Sequence, residues 1–195
     1  FEALPEEYSH LYLALEGTLA AVICIEDPLR EEAADVIKAL KKAGISKVVM
    51  MTGDSDRTAR TIAAKVGVDE YYSEVLPEDK ASFVEKEKAQ GRNVIMIGDG
   101  INDSPALSAA DVGIAVSDGA EIAREIADIT IGADDLSEIV TLKEISNALM
   151  KRIHGNYRKI VGINSGLIAL GVLGLIQPTT SALLHNTSTL VISLG

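Results

Sequence analysis

The chain has 195 residues, which is long enough to bury one sizeable core or a domain with an appendage. Its formal net charge is −11, and all 29 acidic residues precede position 151, which argues against nucleic-acid binding. A single cysteine, Cys24, excludes an internal disulfide and a cysteine-only metal cage, and we expect this residue to be buried. Because the sequence starts without Met or a signal-peptide pattern, we expect a piece of a longer protein.

The first 135 residues alternate apolar strands with amphipathic helices, whereas residues 1–17 show no clear period and are expected to be a lead-in. The predicted strands are 18–25, 47–51, 71–75, 94–97, 112–116 and 129–131. The predicted helices are 31–43, 57–66, 79–89, 105–110 and 121–126. This alternation is typical of βαβ units and predicts an α/β fold with a doubly wound parallel sheet.

Residues 136–159 are predicted to form one long helix whose last turns are basic. Residues 160–176 carry no charge, over a length near the roughly 17–25 residues that span a bilayer. A turn at 177–180 leads to a second apolar segment, 181–195. Because a basic cluster precedes the first segment, we predict a transmembrane helical hairpin with the acidic part facing the cytoplasm. The alternative is a helical hairpin buried in a soluble core.

The most informative motif is the glycine-rich turn Met96–Leu107, which follows a predicted strand. It places two carboxylates, Asp99 and Asp103, at the C-terminal end of that strand, where doubly wound sheets bind ligands. Gly98 and Gly100 allow the backbone to approach a ligand closely. Asp99 offers a hard oxygen ligand, which suits Mg²⁺.

A second turn, Thr52-Gly53-Asp54, also ends a predicted strand, so we expect both turns at the same sheet edge. A hydroxyl group and a glycine N–H can together hold the oxygens of a phosphoryl group. Alternatively, Thr52 or Asp54 caps the helix that follows. Asp69 and Asp111 have no comparable context and are expected to be capping or solvated charges.

Together these motifs resemble those of the P-type ATPases, the cation pumps of the haloacid-dehalogenase superfamily. Met96–Leu107 is similar to the GDGxNDxPAL signature of that family, and Pro77–Lys80 is similar to its PxxK motif. Asp27–Arg30 is similar to a DPxR element near the hinge between the phosphorylation and nucleotide-binding domains. The resemblance implies a haloacid-dehalogenase-like, Rossmann-like α/β fold, followed by the transmembrane helical hairpin.

The resemblance also implies ATP-driven cation transport through an aspartyl-phosphate intermediate, with ATP and Mg²⁺ as cofactors. Asp99 would bind Mg²⁺, and the lysine of the PxxK motif would pair with the phosphoryl group. The remaining implied phosphoryl-site residues are Thr52, Gly53, Asp54, Asn102 and Asp103, and the implied nucleotide-side residues are Asp27 and Arg30. From the residues alone, the favoured interpretation of Lys80 is a solvated lysine in the first turn of a helix, and that of Arg30 is an exposed side chain.

The phosphorylated aspartate of the family lies in a DKTGT motif, which this sequence lacks. We therefore expect a lead-in from the nucleotide-binding domain (1–17) and the C-terminal part of the phosphorylation domain (18–135). A linker helix (136–159) and transmembrane helices (160–195, the second truncated) would follow. The upstream half of the same pump would be its partner, and the isolated fragment would be inactive. Two alternatives stay open, a membrane-tethered phosphatase of the same superfamily and a truncated non-enzymatic regulatory piece.

Ser181–Thr189 resembles an ALLHNxST-like stretch in the last helix of some heavy-metal (type 1B) pumps. A histidine inside a membrane span is costly, and imidazole suits transition metals. The resemblance implies that His185, Asn186 and Thr189 contact the transported cation, within an integral membrane protein in the lipid bilayer. The alternative is that these polar side chains join helices by hydrogen bonds.

Overall fold

The computed structural model describes residue 4 and residues 8–25, 29–99, 102–116, 125–132 and 135–194. Its strands are β1 (Ser9–Leu15), β2 (Thr18–Ile25), β3 (Val49–Met51), β4 (Glu70–Tyr72), β5 (Ile95–Gly98), β6 (Val112–Val116) and β7 (Ile129–Ile131). Its helices are α1 (Ala33–Lys42), α2 (Asp56–Val66), α3 (Pro77–Ala89), α4 (Ser104–Ala109), α5 (Ser137–Val172) and α6 (Pro178–Leu194). The chain divides into two compact units, Phe1–Thr141 and Leu142–Gly195. The predicted helix at 121–126 lies mostly outside the described residues.

Strands β1 and β2 form an antiparallel hairpin, in which Leu15 pairs with Thr18 across a tight turn. Both turn residues, Glu16 and Gly17, have positive φ angles (50° and 78°), as a two-residue type I′ hairpin turn requires. Strand β1 therefore lies within residues 1–17, for which the sequence pattern predicted no strand. Cys24 is exposed, and so is nearly every other residue of β2, so the prediction of a buried cysteine is wrong.

The remaining strands form parallel sheets, which confirms the predicted parallel α/β fold. Among the described residues, β3 pairs with β4, and β5, β6 and β7 form a separate three-stranded sheet in that order. Both sheets contribute to one core, because Met51 of β3 packs against a buried cluster that contains Met96 of β5. Val84 of α3 and Leu107 of α4 complete the centre of that cluster, each 1% exposed.

Two aspartates that lie directly before a strand bind the backbone of the neighbouring strand. The Asp69 carboxylate accepts a hydrogen bond of 2.7 Å from the Val48 N–H, just before β3. The Asp111 carboxylate accepts one of 2.8 Å from the Val94 N–H, just before β5. In both cases the aspartate N–H donates back to the carbonyl of the same partner, at 2.9 and 3.0 Å. These carboxylates are therefore not merely capping or solvated charges, because they set the register of β3–β4 and of β5–β6.

A lysine from a preceding helix strengthens each of these carboxylate contacts. Lys41 donates to Asp69 at 2.8 Å and to the carbonyl just after α2 at 2.9 Å. Lys88 lies 3.3 Å from Asp111 and donates to the last carbonyl of α4 at 2.7 Å. The Lys41 ammonium and the Val48 N–H hold the pKa of Asp69 below its usual range. The Val94 N–H and the Lys88 ammonium likewise lower the pKa of Asp111.

Strand β6 is held on its two sides by close contacts. The Asp128 carboxylate, just before β7, accepts a hydrogen bond of 2.8 Å from the Gly113 N–H. A Cβ atom at Gly113 would lie only 2.8 Å from the carbonyl oxygen of Leu107. Only glycine therefore permits the observed packing of α4 against β6.

The C-terminal unit is a helical hairpin. Helix α5 continues through the predicted linker and into the first apolar segment, and α6 has 17 residues. The Asn156 amide donates to the Ile192 carbonyl at 3.0 Å, and Asn164 contacts His185, so the two helices run antiparallel. In the described part of the chain, no helix combines the length and the apolar character needed to cross a membrane. The predicted hairpin is therefore present, whereas its crossing of a membrane is not confirmed.

We expect the Asp111 contacts to make stability depend on pH in the acid range. A folded-state pKa below the unfolded value of about 3.9 contributes stability that is present above that value and lost as the pH falls through the folded pKa. Asp111→Asn retains an acceptor for Val94 but does not titrate. Urea unfolding should therefore show a smaller loss of stability between about pH 5 and pH 3 for Asp111→Asn than for the unmodified chain.

Glu85→Gln, at an exposed position of α3, provides a charge-matched control. Its stability should follow the same pH dependence as that of the unmodified chain. If Asp111→Asn also follows that dependence, the carboxylate does not contribute as described.

Candidate functional site

The first part of the candidate site is an ion pair between Lys80 and Asp103. The Asp79 carboxylate accepts a hydrogen bond from the Leu76 N–H at 3.3 Å, which fixes the start of α3 and so places Lys80. The Lys80 ammonium donates to Asp103 Oδ1 at 2.7 Å, and the two side chains are only 14% and 12% exposed. Asp103 is the N-cap residue of α4, but its side chain makes no capping hydrogen bond. The Asp103 carboxylate instead accepts the hydrogen bond from the Lys80 ammonium.

Gly98 makes room for that carboxylate. A Cβ atom at Gly98 would lie 2.4 Å from Asp103 Oδ2, so any larger residue would displace Asp103. We predicted that this glycine allows a ligand to approach, but its first role in the structure is to admit Asp103. Asp99 is exposed, and its Oδ1 accepts a hydrogen bond from the Asn102 N–H at 3.3 Å. Gly100 lies outside the described residues.

The second part of the site is the Thr52–Asp54 turn after β3. The Thr52 hydroxyl donates to Asp54 Oδ2 at 2.7 Å and accepts from the Asp54 N–H at 3.1 Å. Helix α2 is capped by Ser55, whose hydroxyl accepts from the Thr58 N–H at 3.5 Å. The alternative that Thr52 or Asp54 caps this helix is therefore wrong, and the turn has its own internal bonding.

The segment between β4 and α3 connects the two parts of the site. The Val75 N–H donates to the Thr52 carbonyl at 3.0 Å, and the Glu74 N–H donates to the Asp54 carbonyl at 2.9 Å. Glu74 has a φ angle of 55°, an uncommon conformation for a residue with a side chain. The contact of this segment with the Thr52–Asp54 turn was not predicted, because nothing in its composition marks a backbone contact with a turn about twenty residues earlier.

Of the two predicted nucleotide-side residues, the structure describes only Arg30. Asp27 lies outside the described residues. Arg30 is exposed just before α1, and its guanidinium is 4.0 Å from the Glu32 carboxylate. Their role therefore stays a prediction.

The C-terminal unit holds the predicted cation ligands. His185 Nδ1 lies 2.6 Å from the amide oxygen of Asn164, on the other helix of the hairpin. Thr189, one turn after His185 on the same face of α6, has a buried hydroxyl oxygen for which the described residues provide no hydrogen-bond partner. Asn186 is exposed on the neighbouring face. Asn164 was not predicted to belong to this site, although a polar residue in an apolar segment was a usable signal.

In the part of the chain that the structure describes, no three His, Cys, Asp or Glu side chains are close enough together to hold a metal ion. A cation beside Asp99 or beside His185 would therefore also need oxygen ligands of other types, or ligands from outside the described residues.

Residues 2–111 match the family model of haloacid dehalogenase-like hydrolases. The chain is 37% identical over 183 residues to a manganese-exporting P-type ATPase of Mycobacterium leprae. This match covers 93% of this chain and 25% of that protein. It is 44% identical over 176 residues to a copper-transporting ATPase of Rhizobium meliloti. This match covers 90% of this chain and 21% of that protein. The crystal structure of a zinc-transporting PIB-type ATPase matches with a TM-score of 0.82 and 31% identity, over 97% of this chain and 31% of that chain.

The family model matches more than half of the chain, so the chain belongs to the haloacid dehalogenase-like hydrolase family. The predicted resemblance is confirmed, because its relatives include P-type ATPases named for heavy metals. The chain spans about a quarter of the length of these curated relatives.

Loss of the Lys80 ammonium should destabilise the fold by leaving Asp103 unpaired in a poorly solvated position. Breaking a largely buried ion pair from one side costs about 3 kcal/mol. We therefore expect Lys80→Met to lower the free energy of unfolding by about that amount in urea titrations at neutral pH. The double variant Lys80→Met/Asp103→Asn, which removes the unpaired charge, should recover part of the loss.

Lys86→Met, at an exposed position of the same helix, is the matched control and should have little effect. Equal stability of Lys80→Met and Lys86→Met would show that the pair contributes nothing to the fold.

Proposed function

We propose that this member of the haloacid dehalogenase-like hydrolases is part of an ATP-driven pump for a transition-metal cation, which works through an aspartyl-phosphate intermediate. The observation that carries the proposal is the poorly solvated Lys80–Asp103 pair at the C-terminal end of β5. The Thr52–Asp54 turn is tied to the same helix start through Val75 and Leu76. The similarity to heavy-metal P-type ATPases over more than 90% of this chain gives the reaction class its support.

In the proposed mechanism, the chain binds and neutralises a transferring phosphoryl group. The lysine ammonium has three N–H donors, of which one is used by Asp103, so two can donate to phosphoryl oxygens. The Gly53 N–H and, after rotation, the Thr52 hydroxyl supply further donors at the end of β3. Among the described residues, a Cβ atom at Gly53 would have one protein neighbour within 4 Å, the Val75 carbonyl oxygen at 3.9 Å. Packing against the described residues therefore does not require this glycine, which fits close approach by a ligand.

The proposed cofactors fit the residues present. Asp99 is exposed after β5, and carboxylate oxygen is a preferred ligand of Mg²⁺. Asp99 would hold this ion, which supplies charge neutralisation at the phosphates when bound. The ATP would be contacted from the nucleotide side, to which we assign Asp27 and Arg30.

We propose that the partner of this chain is the upstream part of the same pump. In the described residues, β3 is paired on one edge with β4, and β5 is paired on one edge with β6. Because both strands pack on one core, a further strand between them would join the two parallel sheets. We place the phosphorylated aspartate on that strand.

The transported cation is proposed to bind at His185, with Thr189 and Asn186 as oxygen ligands. The imidazole lies beside Asn164, and the Thr189 hydroxyl has bonding capacity that the described residues leave unused. Many apolar side chains of this unit are exposed, including Val172 (83%) and Leu194 (77%). This exposure, together with the basic turns of α5, supports placement of the hairpin in the membrane of the complete pump, with the first unit in the cytoplasm.

Asp99→Asn should abolish phosphoenzyme formation in the complete pump, because it removes a charged Mg²⁺ ligand. The measurement is incorporation of labelled phosphate from ATP, with the variant falling to about the background level. Asp35→Asn, at an exposed position of α1, should give the same phosphoenzyme level as the unmodified pump. Near-normal phosphoenzyme in a folded Asp99→Asn variant would remove Asp99 from the metal site.

His185→Gln should sharply weaken metal-stimulated ATP hydrolysis while leaving phosphorylation by inorganic phosphate intact. The physical reason is that the amide lacks the imidazole lone pair that binds a transition metal, whereas the site around Lys80 is untouched. His154→Gln, at an exposed position of α5, is the matched control. Unchanged metal dependence in a folded His185→Gln variant would exclude His185 as a transport ligand.

A further inference from the structure

Asn164 and His185 form a polar contact between the two helices of the C-terminal hairpin. His185 Nδ1 is 2.6 Å from the amide oxygen Oδ1 of Asn164. Both residues line a cavity of about 610 Å³ whose other walls are mostly apolar. An amide oxygen can only accept a hydrogen bond, so a contact made through Oδ1 of Asn164 assigns the proton to Nδ1 of the imidazole.

This assignment has a direct consequence for metal binding. In a neutral imidazole, one ring nitrogen carries the proton and the other carries the lone pair that binds a metal ion. If Nδ1 donates to Asn164, the lone pair is on Nε2. Metal-binding histidines typically donate their other ring N–H to a carbonyl or carboxylate group, which fixes both the tautomer and the ring orientation.

We infer that Asn164 is a positioning residue of the cation site, which holds His185 in the tautomer that offers Nε2 to a transition-metal cation. This inference rests on the proposed function, because it assumes that His185 binds the cargo. Asn164 acts through His185 rather than as a ligand. It thereby adds a residue of α5 to a site that the sequence assigned to α6 alone.

The same hairpin provides a matched control for this inference. Asn156 also forms a hydrogen bond from α5 to α6, but its partner is the Ile192 carbonyl at 3.0 Å. Asn164→Leu and Asn156→Leu therefore each remove one interhelical hydrogen bond of an asparagine. Only the first of these bonds involves His185.

The first experiment measures the tautomer without any metal. Long-range ¹⁵N–¹H correlation spectra of the ¹⁵N-histidine-labelled 195-residue chain in detergent report which ring nitrogen of His185 is protonated. We expect Nδ1–H in the unmodified chain and in Asn156→Leu, a mixture of tautomers in Asn164→Leu, and retention of Nδ1–H in Asn164→Asp, which keeps an acceptor. A dominant Nε2–H form in the unmodified chain would overturn the inference.

The second experiment measures the affinity of the complete pump for Zn²⁺ by calorimetry. Loss of a group that orients a metal ligand typically costs 10–100-fold in affinity, so we expect Asn164→Leu to weaken Zn²⁺ binding by about that factor. Asn156→Leu should stay near the unmodified affinity, and Asn164→Asp should retain most of it. Equal losses for the two leucine variants, or no loss for Asn164→Leu, would overturn the positioning role.

His185→Gln distinguishes failure of the proposed cation site from failure of the positioning role of Asn164. If His185→Gln weakens Zn²⁺ binding but Asn164→Leu does not, only the inference about Asn164 is wrong. If His185→Gln leaves Zn²⁺ affinity unchanged, both the proposed cation site and the positioning role fail.

Discussion

The parallel sheets depend on carboxylates that lie one residue before a strand and bind the backbone of the neighbouring strand. Asp69, Asp111 and Asp128 each do this, with N···O distances of 2.7 to 2.8 Å. A slip of one residue in a sheet would turn every side chain to the opposite face, so a contact at one end of a strand fixes what lies at the other end. In β3 and β5 the other end carries Thr52 and Gly98, which belong to the candidate site. The register contacts therefore place the site without being part of it.

The candidate site itself is held together at a cost in stability. Two charges removed from water are only partly compensated by their mutual attraction, so a pair such as Lys80–Asp103 is weak evidence for a stabilising design. Gly98, which must lack a Cβ atom to admit Asp103, adds backbone entropy to that cost. On the proposed function, the pair holds the lysine ammonium in a fixed direction at a place where phosphate charge has to be neutralised. The low exposure then strengthens the interaction of the ammonium with a phosphoryl group.

The sequence was sufficient for features that depend on local pattern and insufficient for features that depend on distant pairing. Apolar runs that alternate with amphipathic segments predicted the strands β2 to β7. The glycine-rich stretch Met96–Leu107 predicted the turn after β5. Strand β1 was missed because its strand character comes from pairing with β2 rather than from an alternating pattern. Cys24 was expected to be buried because it lies in an apolar run. Such a run does not show whether another layer of the protein covers the strand. The lysine contacts of Asp69 and Asp111 join residues more than twenty positions apart, which no local pattern encodes.

Several polar groups of the C-terminal hairpin form hydrogen bonds within the hairpin itself. Ser188 and Ser193 donate to carbonyls of their own helix, at 3.0 and 2.8 Å, as hydroxyl groups in apolar helices commonly do. Asn156 is satisfied by a carbonyl of the opposite helix. Among the buried side-chain atoms of the described residues, the Thr189 hydroxyl oxygen is the one without a partner. It lies one turn from His185, on the same face of α6. On the proposed function, the transported cation would satisfy this oxygen, since an unsatisfied buried hydroxyl costs free energy.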